Sequence, residues 1–461
     1  MATPADRTEP TTPDAPDPVA LLRSRNYVRL LVLAAILGVP ISAVAYGFLA
    51  LVSYLQKEIF IHLPHGLGFA TEPVWWPLPV LAVGGLLAGF AIRYLPGRGG
   101  PSAAGAFAVH APPTPIQLPG VILAALATLV FGAVLGPEMP LIALGGGLAA
   151  LVIRLARRRA VPDQAARVLG VTGSFAAVST LLGSPLTGAF LLMEASGLGG
   201  PILGVVLLPG LLAAGIGSLI FIGLDSLTGL GTFSLALPGI PGFSHPTGAE
   251  FGWAIVIGVA AALIGPVIQR LALFLKPYAD RWAMLVVPLA GIAVAVLAII
   301  YAEATGKPTS DVLFSGENAL DPLITHAASY SVGALLLLMV CKGLAYAVSL
   351  SSFRGGPVFP AMFIGAAGGI ALSHLPGLPM IAGVAMGIGA MSVVMLTLPI
   401  TSVLLATLLL ASDGLALMPL VIVAVVVAYV AAARITPAET TGSATQRPAA
   451  TAGSDSEVVS R

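Results

Sequence analysis

Two stretches of this chain share one frame: GPEMPLIALG at Gly136–Gly145 and GPVFPAMFIG at Gly356–Gly365. Each reads G-P-x-x-P and closes on a second glycine nine residues after the first. Both lie in long apolar sequence, where glycine and proline weaken a helix interior. Only the first copy carries an acid, Glu138. A second pair supports the match: SPLTGAFLLME at Ser184–Glu194 and LPITSVLLATL at Leu398–Leu408. The offsets are 220 residues for the first pair and 214 for the second, in the same order, which marks an internal repeat.

The surrounding composition is that of a membrane protein. Of 461 residues, 57% are hydrophobic and 9% charged, against about a quarter charged in soluble domains. The net charge of +1 recruits no nucleic acid or acidic partner. A single cysteine, Cys341, rules out a disulfide framework within the chain, and the six histidines show no metal-ligand spacing. No Ser/His/Asp set, phosphate loop or redox pair stands out, so neither an enzyme nor a cofactor is expected.

The organisation follows the polarity. Residues 1–24 form a Pro-, Asp- and Thr-rich tail and 435–461 a second polar tail, both expected to be disordered. The polar lead and the long apolar run after Arg29 read as an uncleaved start rather than a signal peptide. A Gly/Pro/Ser-rich connector, 226–249, separates repeat 1 (25–225) from repeat 2 (250–434). Apolar runs fall near 28–55, 75–95, 116–135, 139–156, 166–182, 185–198, 201–223, 250–272, 283–303, 330–350, 358–373, 379–396, 399–411 and 415–434. Several are shorter than the roughly 20 residues of a membrane crossing, so broken and part-way helices are expected. Arginines at 23, 25 and 29, and again at 154, 157–159 and 167, place those ends in the cytoplasm.

Interrupted helices at matching positions of two repeats point to a transport site near the midplane. Pro140 and Pro360 suit helix starts, and the glycines before them allow a tight turn. A helix N-terminus presents free N–H groups and a partial positive charge, which favours an anion. Weak binding shared between two such ends would let the ion leave again. An acid at this depth is a functional candidate, since its insertion costs roughly 2.5 kcal/mol or more. The Glu138 carboxylate could stand in the anion's place and leave on protonation, acting as gate and proton carrier. The plainer alternative is an acid that caps a helix at a water-facing loop. A third glycine-rich break, GRGGP at Gly97–Pro101, holds Arg98, whose plainer reading is a snorkelling interfacial arginine. Glu194 ends an apolar helix and could sit at the interface.

These residues resemble the CLC family of chloride channels and chloride/proton antiporters, over about 28–434. Gly97, Gly99 and Pro101 fit the frame of that family's G-S-G-I-P motif. Gly136, Glu138 and Pro140 fit G-R-E-G-P, and Gly356 and Pro360 fit G-x-F-x-P. Pro185-Leu186-Thr187-Gly188 fits the P-L-x-G that precedes a helix ending in acids. The resemblance implies an all-α integral membrane protein of two inverted-topology repeats of tilted and broken transmembrane helices. It implies a multi-pass protein of the bacterial plasma membrane and a homodimer with one pathway per subunit. It makes Glu138 the gating and proton-carrying acid and Glu194 a possible inner acid. The implied anion-binding positions are Gly97, Arg98, Gly99, Pro101, Gly136, Met139, Pro140, Gly356, Val358 and Phe359. The partners are chloride or another small inorganic anion and the lipid bilayer.

The departures shape the expectation. Arg98 replaces the family's chloride-coordinating serine and brings a full charge and five donors. Pro357 lacks the backbone N–H offered there by family members. The antiporters' second glutamate, the inner proton relay, reads Ala195, and no match to the C-terminal coordinating tyrosine follows 434. The cytoplasmic nucleotide-binding domains of some members are also unmatched. Passive, Glu138-gated anion conduction is therefore the favoured reading. The alternatives are a chloride/proton antiporter, a non-transporting scaffold or sensor that kept the fold, and a transporter of another solute on an unrelated repeat.

Overall fold

The computed structural model describes residues 22–105, 107–156, 163–197, 201–235, 237, 243, 245–410 and 414–436. The two expected tails lie outside these apart from 22–24 and 435–436, as do Arg157, Arg158 and Arg159.

The first repeat begins with α1 (Arg25–Lys57), capped by Ser24, whose Oγ accepts from the Tyr27 N–H. It continues through α2 (Pro77–Tyr94), α3 (Leu118–Leu129), α4 (Glu138–Ala156), α5 (Asp163–Ala177), α6 (Pro185–Ala195) and α7 (Pro201–Thr228). The second comprises α8 (Gly248–Arg281), α9 (Ala283–Thr305), α10 (Glu317–Thr325), α11 (Val332–Ser352), α12 (Val358–Leu372), α13 (Met380–Leu396), α14 (Pro399–Leu409) and α15 (Gly414–Ile435). Several starts are written in the sequence: Pro77, Pro185 and Pro399 open their helices, and Thr247 with Glu250 forms a capping box on α8. Among the described residues, eight helical stretches are long and apolar enough to cross a membrane, whereas α3, α6, α12, α13 and α14 are shorter.

The apolar runs match these helices within a few residues, with instructive exceptions. The run at 116–135 is helical only to Leu129, because Gly132 turns at φ 96° and its carbonyl accepts from Phe314 of the other repeat. Helix α8 runs on past 272 to Arg281, through Pro266 and Pro277. Helix α10, with the sequence ENALDPLIT, is too short and polar to register as an apolar run. Pro140 and Pro360 stand third in α4 and α12 rather than first. Every N–H of a first turn lacks an intrahelical acceptor, so proline is tolerated there as well.

The repeats are inverted. Helices α2 and α9 pack antiparallel: Gly89 meets the Ala283 carbonyl and Gly291 meets that of Leu81, and a Cβ at either glycine would strike the neighbouring backbone. The helices that follow repeat the same close crossing. Gly145 of α4 lies on Gly173 of α5, and Gly365 of α12 lies on Gly387 of α13. These pairs are separated by 220 and 214 residues, the offsets of the sequence motifs.

Arginine marks one face. Arg25 and Arg29 begin α1, Arg93 and Arg281 end α2 and α8, and Arg270 Nη2 donates to the Ile435 carbonyl at the end of α15. By the positive-inside bias, this is the face expected on the cytoplasmic side.

Candidate functional site

Gly136 and Gly356, equivalent by the repeat, bond to each other. Gly136 N–H donates to the Gly356 carbonyl at 2.8 Å, and Gly356 N–H donates to the Gly136 carbonyl at 2.6 Å. Such a reciprocal antiparallel pair places the local two-fold axis between them. Helices α4 and α12 start two residues further on, so their N-termini converge on this axis.

The Glu138 side chain folds into that convergence and is fully buried. Its Oε1 accepts from the Phe359 N–H, in the first turn of α12, at 3.0 Å. Oε2 has no hydrogen-bond partner among the described residues. A Cβ on Gly356 or Gly136 would collide with the carboxylate oxygens, so these glycines are required for close approach. Glu138 thus spans from its own helix to the N-terminus of the other repeat's helix. The carboxylate occupies the position that two helix ends offer an anion.

Surrounding side chains hold the frame. Tyr346 on α11 donates its hydroxyl to the Pro357 carbonyl at 2.7 Å. Val134 N–H donates to Ser349 Oγ at 3.0 Å, and Arg354 N–H donates to Thr128 Oγ1 at 3.1 Å. Arg354 itself is buried, with Nη2 3.8 Å from Asp280 Oδ1. Lys342, fully buried on α11, donates from Nζ to the carbonyls of Asp311, Val312 and Leu313 at 2.9, 3.1 and 3.2 Å. Asp311 Oδ2 in turn accepts from Tyr301 and Tyr330. Sequence reasoning missed Tyr346, Arg354 and Asp311. Lys342 and Tyr346, polar groups inside the apolar run 330–350, were the available signal; Arg354 and Asp311 lie outside the runs, and only the folded chain shows their partners.

The sequence-derived positions divide into two groups. Gly136, Pro140, Gly356, Val358 and Phe359 are buried around the carboxylate. Gly97, Pro101 and Met139 line a cavity of about 200 Å³ that also includes His110, Gln117 and Ser174, toward the arginine-marked face. Gly97, Arg98, Gly99 and Gly100 turn successively at positive φ. Gly99 is packed so closely that a Cβ would lie 2.8 Å from Ala124 Cβ. Arg98 is exposed and forms no described side-chain hydrogen bond or ion pair, so the structure does not bring it to the carboxylate. Its position on a loop at the cytoplasmic end leaves its long side chain free to reach water.

Glu194 also has a defined structural task. Its carboxylate accepts from Ile400 N–H at 3.1 Å, Thr401 N–H at 2.8 Å and Thr401 Oγ1 at 2.7 Å. It caps α14, whose own N-cap Leu398 offers no side-chain acceptor. No group of three or more candidate metal ligands occurs among the described residues.

With the fold and this geometry in view, comparison with known proteins is direct. The family model described as voltage gated chloride channel matches residues 80–433, and the chain belongs to that family. It is 30% identical over 366 residues to YfeO of Salmonella paratyphi A (strain ATCC 9150 / SARB42), provisionally named an ion-transport protein, covering 77% of this chain and 84% of YfeO. YfeO of Escherichia coli (strain K12 / DH10B) is 29% identical over 370 residues, with 77% and 82% covered. Among solved structures, a CLC-type fluoride/proton antiporter superposes with a TM-score of 0.67 at 21% identity, covering 87% of this chain and 95% of that one. A slow cyanobacterial chloride/proton antiporter gives a TM-score of 0.71 at 18% identity, with 88% and 95% covered. These likenesses match the all-helical membrane fold, and the family is one of anion transport.

Proposed function

We propose that this protein moves a small inorganic anion across the membrane under the control of Glu138. The observation that carries this reading is the carboxylate bonded to the Phe359 N–H between two inward-pointing helix ends. With Glu138 charged, its own carboxylate fills the position. With Glu138 neutral, attraction to the helix ends weakens and an anion can replace it. The cavity beside Gly97 and Met139 supplies the approach from the cytoplasmic side. Gly99, Pro101 and the backbone of Val358 complete the proposed path. The anion is chloride-like, the setting is a bacterial inner membrane, and the working unit is a homodimer.

Passive gated conduction is supported by Ala195 at the place of a second relay acid and by the use of Glu194 as a helix cap. Exchange against protons is the second reading, favoured by Glu317, an acid at the start of α10 about one turn of α12 from the gate. Efflux of chloride, fluoride and nitrate from proteoliposomes at several pH values tests the core claim. Glu138→Gln, which mimics the neutral acid, should conduct with most of its pH dependence gone. A conducting variant with the wild-type pH profile would refute the gate.

A further inference from the structure

Glu138 Oε2 is buried and without a hydrogen-bond partner among the described residues, so a proton on it, or a proton donor beside it, would relieve an unsatisfied acceptor. One acid outside the sequence motifs is carried to that place. Glu317 opens α10, after Gly316 at φ 89°. A Cβ on Gly316 would lie 2.8 Å from the Phe363 ring, so the chain there runs directly against α12. Phe363 stands one helical turn after Phe359, whose N–H holds Glu138. Glu317 therefore enters α10 about one turn along α12 from the residue that holds the gate.

The approach is fixed from both repeats. Phe314 N–H donates to the Gly132 carbonyl at 3.1 Å, and Lys342 holds three consecutive carbonyls before it. The Glu317 side chain forms no described ion pair, and its N–H is held by Ser315 Oγ. The residue is partly exposed, and its carboxylate oxygens are not among the buried unpartnered atoms, so water can reach it. This end of α10 belongs to the outer half. Helix α12 runs away from the arginine-marked face, and Trp253, near the opposite end of α8, reaches Pro376 beyond it.

The neighbouring charges are few. From α4 comes Glu138, and from α11 come Tyr346, engaged with Pro357, and Lys342, engaged with carbonyls. Asp311 is held by two tyrosines, α12 contributes no titratable side chain, and α10 itself carries only Asp321 beyond Glu317. His326 caps the far end of α10.

We propose that Glu317 passes protons between the outer solution and Glu138. The O–H bond of a protonated Glu317 breaks as a bond to Glu138 Oε2 forms. Glu317 is left as a carboxylate and regains a proton from water at its partly exposed side chain. This rests on reading Glu138 as the gate, and it supplies outer proton access whether conduction is passive or coupled.

Two measurements test it. In proteoliposomes, anion efflux after an acid jump should respond about tenfold more slowly, or worse, in Glu317→Gln than in wild type. Glu303→Gln, an exposed acid near the same end of α9, should respond like wild type. Carboxyl-stretch infrared titration of the purified protein is the second measurement. In Glu138→Gln the Glu317 band should titrate with its midpoint displaced by about one pH unit or more, the mark of interacting sites. An unchanged jump response, or an unmoved midpoint, overturns the proposal. Wild-type vesicles that release no anion would refute the gate reading, and the infrared result would then decide alone whether the two acids interact.

Discussion

At the scale of single residues, the question raised by the two G-P-x-x-P motifs has a spatial answer. The position equivalent to Glu138 in the second copy is Val358. The two motifs meet across a local two-fold axis, so acids in both would put like charges in one buried site. One carboxylate fills a site that both copies build. The glycines make the approach possible, because a Cβ on Gly356 would occupy the space of Glu138 Oε2. Gly356→Ala should therefore expel the carboxylate and give efflux with a pH dependence as weak as that of Glu138→Gln. A wild-type pH profile in this variant would show that the carboxylate does not use the cradle during transport.

At the scale of elements, two charged side chains, Glu194 and the buried Lys342, have structural assignments that can be weighed. Glu194 supplies the cap that Leu398 cannot, so Glu194→Ala should cost about 1 kcal/mol by thermal unfolding in detergent. If Glu194 instead acts as an inner proton station, Glu194→Gln would abolish proton flux with little change in stability. Lys342 ties α11 to the segment before α10. Lys342→Met leaves those carbonyls unpaired in a buried place and should cost roughly 3 kcal/mol. The same variant loosens the segment that positions Glu317, so its acid-jump response should slow as well. Full retention of stability would mean that water replaces the ammonium without loss.

At the scale of the whole molecule, the short helices α6 and α14 deserve a partner. Each has 11 residues, about half a membrane crossing, and they expose Leu186, Ile400 and Leu408. Backbone that ends within the hydrocarbon needs protein cover. A second copy of the chain provides it in the proposed homodimer, so Ile400→Cys should cross-link between protomers in vesicles, and exclusively monomeric product would count against this face. On the outer side, Glu72 joins the segment after α1 to Thr309 after α9, with 3.4 Å between Thr309 Oγ1 and Glu72 Oε1. Burial raises the Glu72 carboxyl to about 7. Its stabilising contribution is then fully present below about 4.5, the ordinary value, and is lost as pH rises through about 7. Glu72→Gln should flatten the fall in melting temperature over that window, and an unchanged slope would exclude Glu72 as its source.

The sequence by itself determined the membrane setting, the two repeats, most helix limits and the buried acid. These depend on local properties: hydropathy over a span, proline and glycine at breaks, and a repeated frame at fixed offset. It also located Gly136, Glu138 and Gly356, because a costly residue at a broken helix start is conspicuous wherever the chain goes. Tertiary structure alone decided which groups meet. It joined Gly136 to Gly356 across 220 residues, turned Glu194 into the cap of a distant helix and left Arg98 exposed at the cytoplasmic end. It also carried Glu317, in a short polar helix with no apolar signature, against the helix that holds the gate. Hydropathy records how a segment partitions between water and lipid. Hydrogen bonds and charge pairs depend on positions in space, which are fixed only when the inverted repeats close on each other.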